Sequence, residues 1–314
     1  MENQKKSVIL NLNCKGGKGL KYWKRICPFL EKSYGPFSIH MSDDKTKSIR
    51  TMKNLLSQGR RTFVSAGGDG CVNLLINSII ANKKQTPLSD FTVGALGLGS
   101  SNDYHKPISE KIRNVPIRVD DRNPILRDVG EITYRNGKDN HRKTTYFLIS
   151  ASAGIVAEGN ENFNHGGPIL NLLKKRFTQL AIFWTFFQTL RFFRNIPMKL
   201  RVDDREALDL DVSYLAVSKT PYISGMFHFD EKISRNDGKF LVKILHDCSK
   251  MDLIRCMLKL MNGREKGIPN LVTRFVRTLE VSSQAPFVLE CDGETQTTTE
   301  ARFQICEERI KECT

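Results

Sequence analysis

Over its first hundred residues the chain alternates short apolar runs with stretches of helical periodicity, and this alternation restricts its fold more than any other property. Ser7 to Leu12 precedes Leu20 to Lys32, Phe37 to Met41 precedes Lys45 to Leu56, Thr62 to Ala66 precedes Val72 to Ala81, and Phe91 to Leu96 follows. Strands joined through helices pair in parallel, so the pattern predicts a parallel α/β domain. From about Arg127 it changes to β runs separated by turn signals: Asp128 to Tyr134, Thr144 to Ser150, Met198 to Val202, Val212 to Ser218, Phe240 to Leu245, Leu279 to Ser283 and Phe287 to Cys291. These predict an antiparallel sandwich, with Asn136-Gly137 as a hairpin turn in a solvated tip. A chain of 314 residues exceeds what one core usually organises. The expected division is an α/β domain over 1–126 and a β-sandwich domain over 127–299, with 300–314 packing back on the first.

Between Ala66 and Val72 lies Gly67-Gly68-Asp69-Gly70, at a strand-to-helix junction. Glycines there let the backbone approach a ligand, and the helix points its free N–H groups at an anion. Asp69 repels a bare phosphate and so calls for a bridging cation. A second junction, Gly97-Leu98-Gly99-Ser100-Ser101-Asn102-Asp103, leaves the next strand. Loops at the carboxyl ends of nearby parallel strands open onto one crevice, so the two can face one ligand. Each loop read alone is also compatible with an Asp or Asn cap on a helix. Asp292-Gly293-Glu294, at a strand end, is compatible with an ordinary β-turn, and Asp237-Gly238 is read as one.

Gly67-Gly68-Asp69-Gly70, Gly99-Ser100-Ser101-Asn102-Asp103 and Asp292-Gly293-Glu294, in that order, resemble the diacylglycerol kinase catalytic-domain family, which includes bacterial lipid kinases and sphingosine kinases. Asn13-Cys14-Lys15-Gly16-Gly17-Lys18 is similar to the family's opening glycine loop, and Val217 to Tyr222 with Gly225 to its middle-sheet signature. Cys71 and Leu74 depart from the family's usual Thr and Glu. The segments that would mark an NAD kinase or a phosphofructokinase are absent from the sequence.

The resemblance implies an ATP-dependent lipid kinase with a diacylglycerol-like or sphingoid acceptor, the lipid hydroxyl entering between the two domains. ATP and Mg²⁺ would sit on Asn13, Lys18, Ser42, Gly67, Gly68, Gly70, Gly99, Ser100 and Asn102, with Asp69 and Asp103 as metal ligands. Glu294 is the candidate base; Asp69 shares that role in the sphingosine kinase branch, and the assignment stays open. Asp69→Ala and Glu294→Ala are each expected to abolish phosphoryl transfer at near wild-type thermal stability. The competing class, motivated by Cys71 and Leu74, is a non-catalytic lipid-binding protein that keeps the fold.

Lys and Arg total 49 against 34 Asp and Glu, a formal charge of +15, which predicts an anionic partner. With no nucleic-acid-binding signature in the sequence, a membrane surface is the expected polyanion. The helical stretch Ile169 to Arg194 carries apolar stripes and basic ends, Lys174-Lys175-Arg176 and Arg191 with Arg194, suited to a membrane interface, an acyl pocket or packing between domains. Gln188 and Arg191 interrupt it too early for a membrane span. Eight cysteines without a C-x-x-C pair read as reduced thiols. The amino terminus carries no secretory pattern, so a cytoplasmic, peripherally membrane-associated protein is expected. A homodimer stays open.

Overall fold

The computed structural model describes residues 5–135, 141–167, 170, 173, 178–203, 205 and 207–314. The Asn136-Gly137 turn and the start of the Ile169 to Arg194 helix, with Lys174-Lys175-Arg176, lie outside the described residues. The chain divides into two compact units, Met1–Val129 with Cys306–Thr314, and Gly130–Ile305.

In the first unit, β1 (Lys6–Asn11), β2 (Phe37–Ser42), β3 (Thr62–Gly67) and β4 (Thr92–Gly97) pair in parallel in the order β2-β1-β3-β4. Helices α1 (Gly19–Tyr34), α2 (Lys45–Ser57) and α3 (Asp69–Asn82) make the connections. Trp23, Ile26 and Leu30 of α1 pack with Val8, Leu10, Val64 and Ala66 in one buried core. Asp44 caps α2 by accepting the Lys47 amide at 2.7 Å. Beyond β4 come β5 (Lys111–Ile112), β6 (Val115–Arg118) and β7 (Ile125–Arg127). The chain end returns as β19 (Ile310–Glu312), parallel to β4 and antiparallel to β7.

In the second unit, β8 (Gly130–Arg135), β9 (Arg142–Phe147), β10 (Ser150–Gly154), β11 (Ile196–Val202), β12 (Leu208–Ser218), β15 (Phe240–His246), β16 (Leu271–Val276), β17 (Thr278–Cys291) and β18 (Glu294–Ile305) form one nine-stranded antiparallel sheet. β13 (Tyr222–Ile223) and β14 (Phe227–His228) make a separate ribbon. Both β10 and β11 pair with β12 and with β17, so the sheet folds over and its inner residues, from Ile132 and Phe147 to Leu289 and Phe303, share one core. The two runs expected at Leu279 to Ser283 and Phe287 to Cys291 are halves of the single strand β17. Its pairing with β18 shifts between Ser282 and Phe287, where Pro286 has no amide to donate to a ladder.

Helices α4 (Ile155–Asn164), α5 (Thr178–Phe192) and α6 (Lys250–Met261) complete the second unit. Ile155, Leu190, Leu253 and Leu260 pack with Tyr214, Leu241 and Leu245 in a second core. The opposite side of α5 is uncovered: Leu180, Trp184 and Phe187 are 55%, 47% and 50% exposed. Among the described residues no helix is long and apolar enough to cross a membrane.

Candidate functional site

Three loops leave the carboxyl ends of β1, β3 and β4 in the first unit, and side chains from each tie them together. The first begins with an Asx turn in which Asn13 N–H donates to Asn11 Oδ1 at 2.9 Å. Asn13 Nδ2 donates to the Asp43 carbonyl at 2.6 Å, linking this loop to the end of β2, where buried Ser42 donates to the Asp44 carbonyl. Lys15, Gly16 and Gly17 follow at φ 52°, 65° and 82°. A Cβ on Gly16 or Gly17 would meet no heavy atom within 4 Å, so their backbone faces open space.

The other two loops touch backbone to backbone. A Cβ on Gly99 would lie 2.4 Å from Gly68 Cα, so only glycine permits this approach. Asp69, first residue of α3, stitches the contact: Oδ2 accepts the Asp103 amide at 3.0 Å and Oδ1 the Tyr104 amide at 3.1 Å. Asn102 sits in the left-handed region at φ 52° and closes the third loop on itself, accepting from Gly99 N–H at 2.9 Å and donating to the Gly99 carbonyl at 3.1 Å. Asp103 is buried and ion-paired with Lys106 at 2.6 Å.

The structure therefore gathers Asn13, Ser42, Gly67, Gly68, Asp69, Gly70, Gly99, Asn102 and Asp103 at one end of the parallel sheet. Lys18 and Ser100 are exposed on the rim. A lysine that the sequence reading passed over joins the first loop to the third: Lys15 Nζ donates to the Gly99 carbonyl at 3.1 Å. Its signal was the run Lys15-Gly16-Gly17-Lys18, in which either lysine suits a glycine loop. Cys71 fills the space over Gly67 and accepts from Asn11 Nδ2 at 3.4 Å. Burial and the nearby Cys71 raise the Cys14 thiol to about 11.

Asp69 and Asp103 supply the hard oxygen donors that magnesium takes, and two carboxylates suffice where water and nucleotide phosphate complete the shell. Among the described residues no group of three or more His, Cys, Asp or Glu comes together to hold a metal. Asp69 and Asp103 are the residues that would hold a hard divalent cation at this end of the sheet.

Glu294 belongs to the second unit, where it opens β18 after the turn Asp292-Gly293, at φ 46° and 94°. The turn is held on three sides. Asp292, buried, accepts the amides of Leu148, Ile149 and Ser150 at 3.1, 3.2 and 2.9 Å. Glu290, also buried, accepts the Gly293 amide at 2.6 Å and the Ser152 hydroxyl at 2.7 Å. Asn164 Nδ2 donates to the Gly293 carbonyl at 3.0 Å. Of the three letters Asp-Gly-Glu, the first is structural and the third projects an exposed carboxylate. Asp237 is more than a turn residue, since its carboxylate pairs with the fully buried Lys219 at 2.8 Å.

Two family models that together cover most of the chain match these two units, and the chain belongs to the diacylglycerol kinase catalytic-domain family. Residues 5–119 match the diacylglycerol kinase catalytic domain, and residues 150–311 match the YegS C-terminal NAD kinase beta sandwich-like domain. A candidate lipid kinase of Staphylococcus haemolyticus is 24% identical over 277 residues, covering 85% of this chain and 82% of that protein. The diacylglycerol kinase of the same organism is 20% identical over 303 residues, covering 94% and 85%. The crystal structure of a candidate diacylglycerol kinase from Bacillus anthracis str. Sterne shares the fold, with a TM-score of 0.72 at 14% identity over 100% of this chain and 98% of that one.

Proposed function

We propose that this protein is an ATP-dependent lipid kinase, transferring the γ-phosphoryl group to the hydroxyl of a diacylglycerol-like or sphingoid lipid at a membrane surface. The observation that carries the reading is the Asp69 stitch, which fixes two glycine loops against each other beside a third. Phosphoryl transfer asks a protein mainly for positioning and charge stabilisation. Backbone amides around Gly16, Gly17, Gly68 and Gly99 would take the nucleotide phosphates, with the amino-terminal end of α3 behind them. Magnesium held by Asp69 and Asp103 would spread the γ-phosphate charge. Asp69 already accepts an amide on each oxygen, so we assign it to organising the loops and assign the acceptor hydroxyl's proton to the exposed Glu294.

For the membrane partner, the uncovered side of α5 presents Leu180, Trp184 and Phe187, with Arg191 beyond them. Apolar side chains flanked by cations suit an interface with anionic lipid, as does the net charge of +15. The test is transfer of labelled γ-phosphate from ATP to micellar diacylglycerol, sphingosine, ceramide, polyprenol and phosphatidylglycerol, with Asp69→Asn and Glu294→Gln as controls. Transfer to one lipid that both variants lose supports the reading. No transfer to any, together with no ATP-dependent rise in melting temperature in Mg²⁺, overturns it in favour of a non-catalytic lipid-binding protein.

A further inference from the structure

A second polar site lies wholly within the β unit, on the outward face of five neighbouring strands. Side chains alternate along a strand, so cross-strand partners line up in rows. One row runs Arg201, Glu280, Arg302 and Thr133 across β11, β17, β18 and β8. A parallel row begins with Lys199 and Ser282 and continues through Glu300. Together with Arg142 of β9 they enclose a recess of about 380 Å³.

The charges in this recess do not cancel. Four cations, Arg142, Lys199, Arg201 and Arg302, face two carboxylates, Glu280 and Glu300. Glu280 is shared by Arg201 at 3.4 Å and Arg302 at 3.0 Å. Glu300 is drawn to Arg135, which does not line the recess, at 3.0 Å. The side chains of Arg142 and Lys199 have no ion pair or hydrogen-bond partner among the described residues. A solvated lattice of cross-strand ion pairs would match its charges, whereas this one leaves two cations over at the wall of a concavity.

We propose that the recess is an anion site for a phosphate group, separate from the glycine loops of the first unit. Arginine forks and a lysine ammonium are the side chains that recognise phosphate oxygens, and the volume suits a small phosphorylated molecule or a phospholipid headgroup. The site goes beyond the proposed phosphoryl transfer, needing neither ATP nor the Asp69 loops.

Its test uses inorganic phosphate as probe, against chloride at equal ionic strength, reading the melting temperature of the full chain. The Arg142→Gln/Lys199→Gln pair removes two exposed side chains, and Lys21→Gln/Lys24→Gln on α1 is a charge-matched control. The expected result is saturable stabilisation by phosphate, with apparent affinity at least tenfold weaker in the Arg142/Lys199 pair and unchanged in the control. Two further arms separate the sources. Glycerol 3-phosphate competing with phosphate, with vesicle binding the same in both proteins, identifies a soluble phosphorylated ligand. Co-sedimentation with phosphatidylglycerol vesicles that the Arg142/Lys199 pair loses, while phosphatidylcholine vesicles show no difference, identifies a lipid headgroup. Phosphate stabilisation that is absent from the wild type, or equal in all three proteins, overturns the proposal. Because none of these readouts involves phosphoryl transfer, they stand apart from the kinase assay.

Discussion

Asp69 does more than a catalytic carboxylate need do, and replacing it separates the structural contribution from the chemical one. Its two oxygens receive the Asp103 and Tyr104 amides. A hydrogen bond to a charged acceptor contributes roughly 1.5–3 kcal/mol, and the lower end applies to this half-buried group, so Asp69→Ala is predicted to cost about 3 kcal/mol. For a unit of this size that is a fall of on the order of 10 °C in melting temperature. Asp69→Asn keeps one acceptor oxygen and is predicted to lose about half as much. The sequence reading expects near wild-type stability for Asp69→Ala, and these two hydrogen bonds predict a loss instead. Calorimetry of the three proteins provides the measurement, with the transition of the first unit followed separately if the two units melt apart. An Asp69→Ala protein melting within about 2 °C of wild type would refute the stitch, because a correction so small leaves no room for two charge-assisted bonds.

Three further outcomes are expected. Glu312 is fully buried between Arg127 and Arg118, so Glu312→Ala removes the carboxylate that both guanidinium groups share and should lower the urea unfolding free energy by about 3–5 kcal/mol. Glu294→Gln, at an exposed position, should leave the melting temperature unchanged within about 1 °C while removing at least 10²-fold of phosphoryl transfer, measured with the preferred lipid. Alkylation of Cys14 at pH 8 should run about a hundredfold slower than that of an unperturbed thiol, since a thiol raised to about 11 holds that much less thiolate; peptide mapping by mass spectrometry reads the rate.

The parallel half was legible because its signals are local. Three of the four strand runs lead into glycine loops and the second into the Asp44 cap, and the intervening helices carry a 3.6-residue period, so β1, β2, β3 and β4 fall where the apolar runs placed them. What escaped the sequence depends on distant partners. Ile310-Lys311-Glu312 is too short and too charged to announce a strand, and becomes one because β4 and β7 leave a gap between them. Lys15 and Lys18 are equivalent in sequence, and the position of Gly99 decides which one bridges. The sequence left no role for Asp292 in the Asp292-Gly293-Glu294 turn, because the three amides from Leu148 to Ser150 that it holds are more than 140 residues away. Helix α6 was missed despite a visible cue, the Ser249 and Asp252 capping box ahead of Leu253.

The returning strand β19 also bears on how this protein is made. Its partners β4 and β7 are synthesised early, but Glu312, which neutralises Arg127, comes after all of Gly130–Ile305. At a translation rate of about 5–20 residues per second, that leaves on the order of ten seconds or more in which the first sheet has an open seam between β4 and β7. The α/β unit is thus begun before the β unit and completed after it. Its final closure reports that the intervening β unit has been synthesised in full.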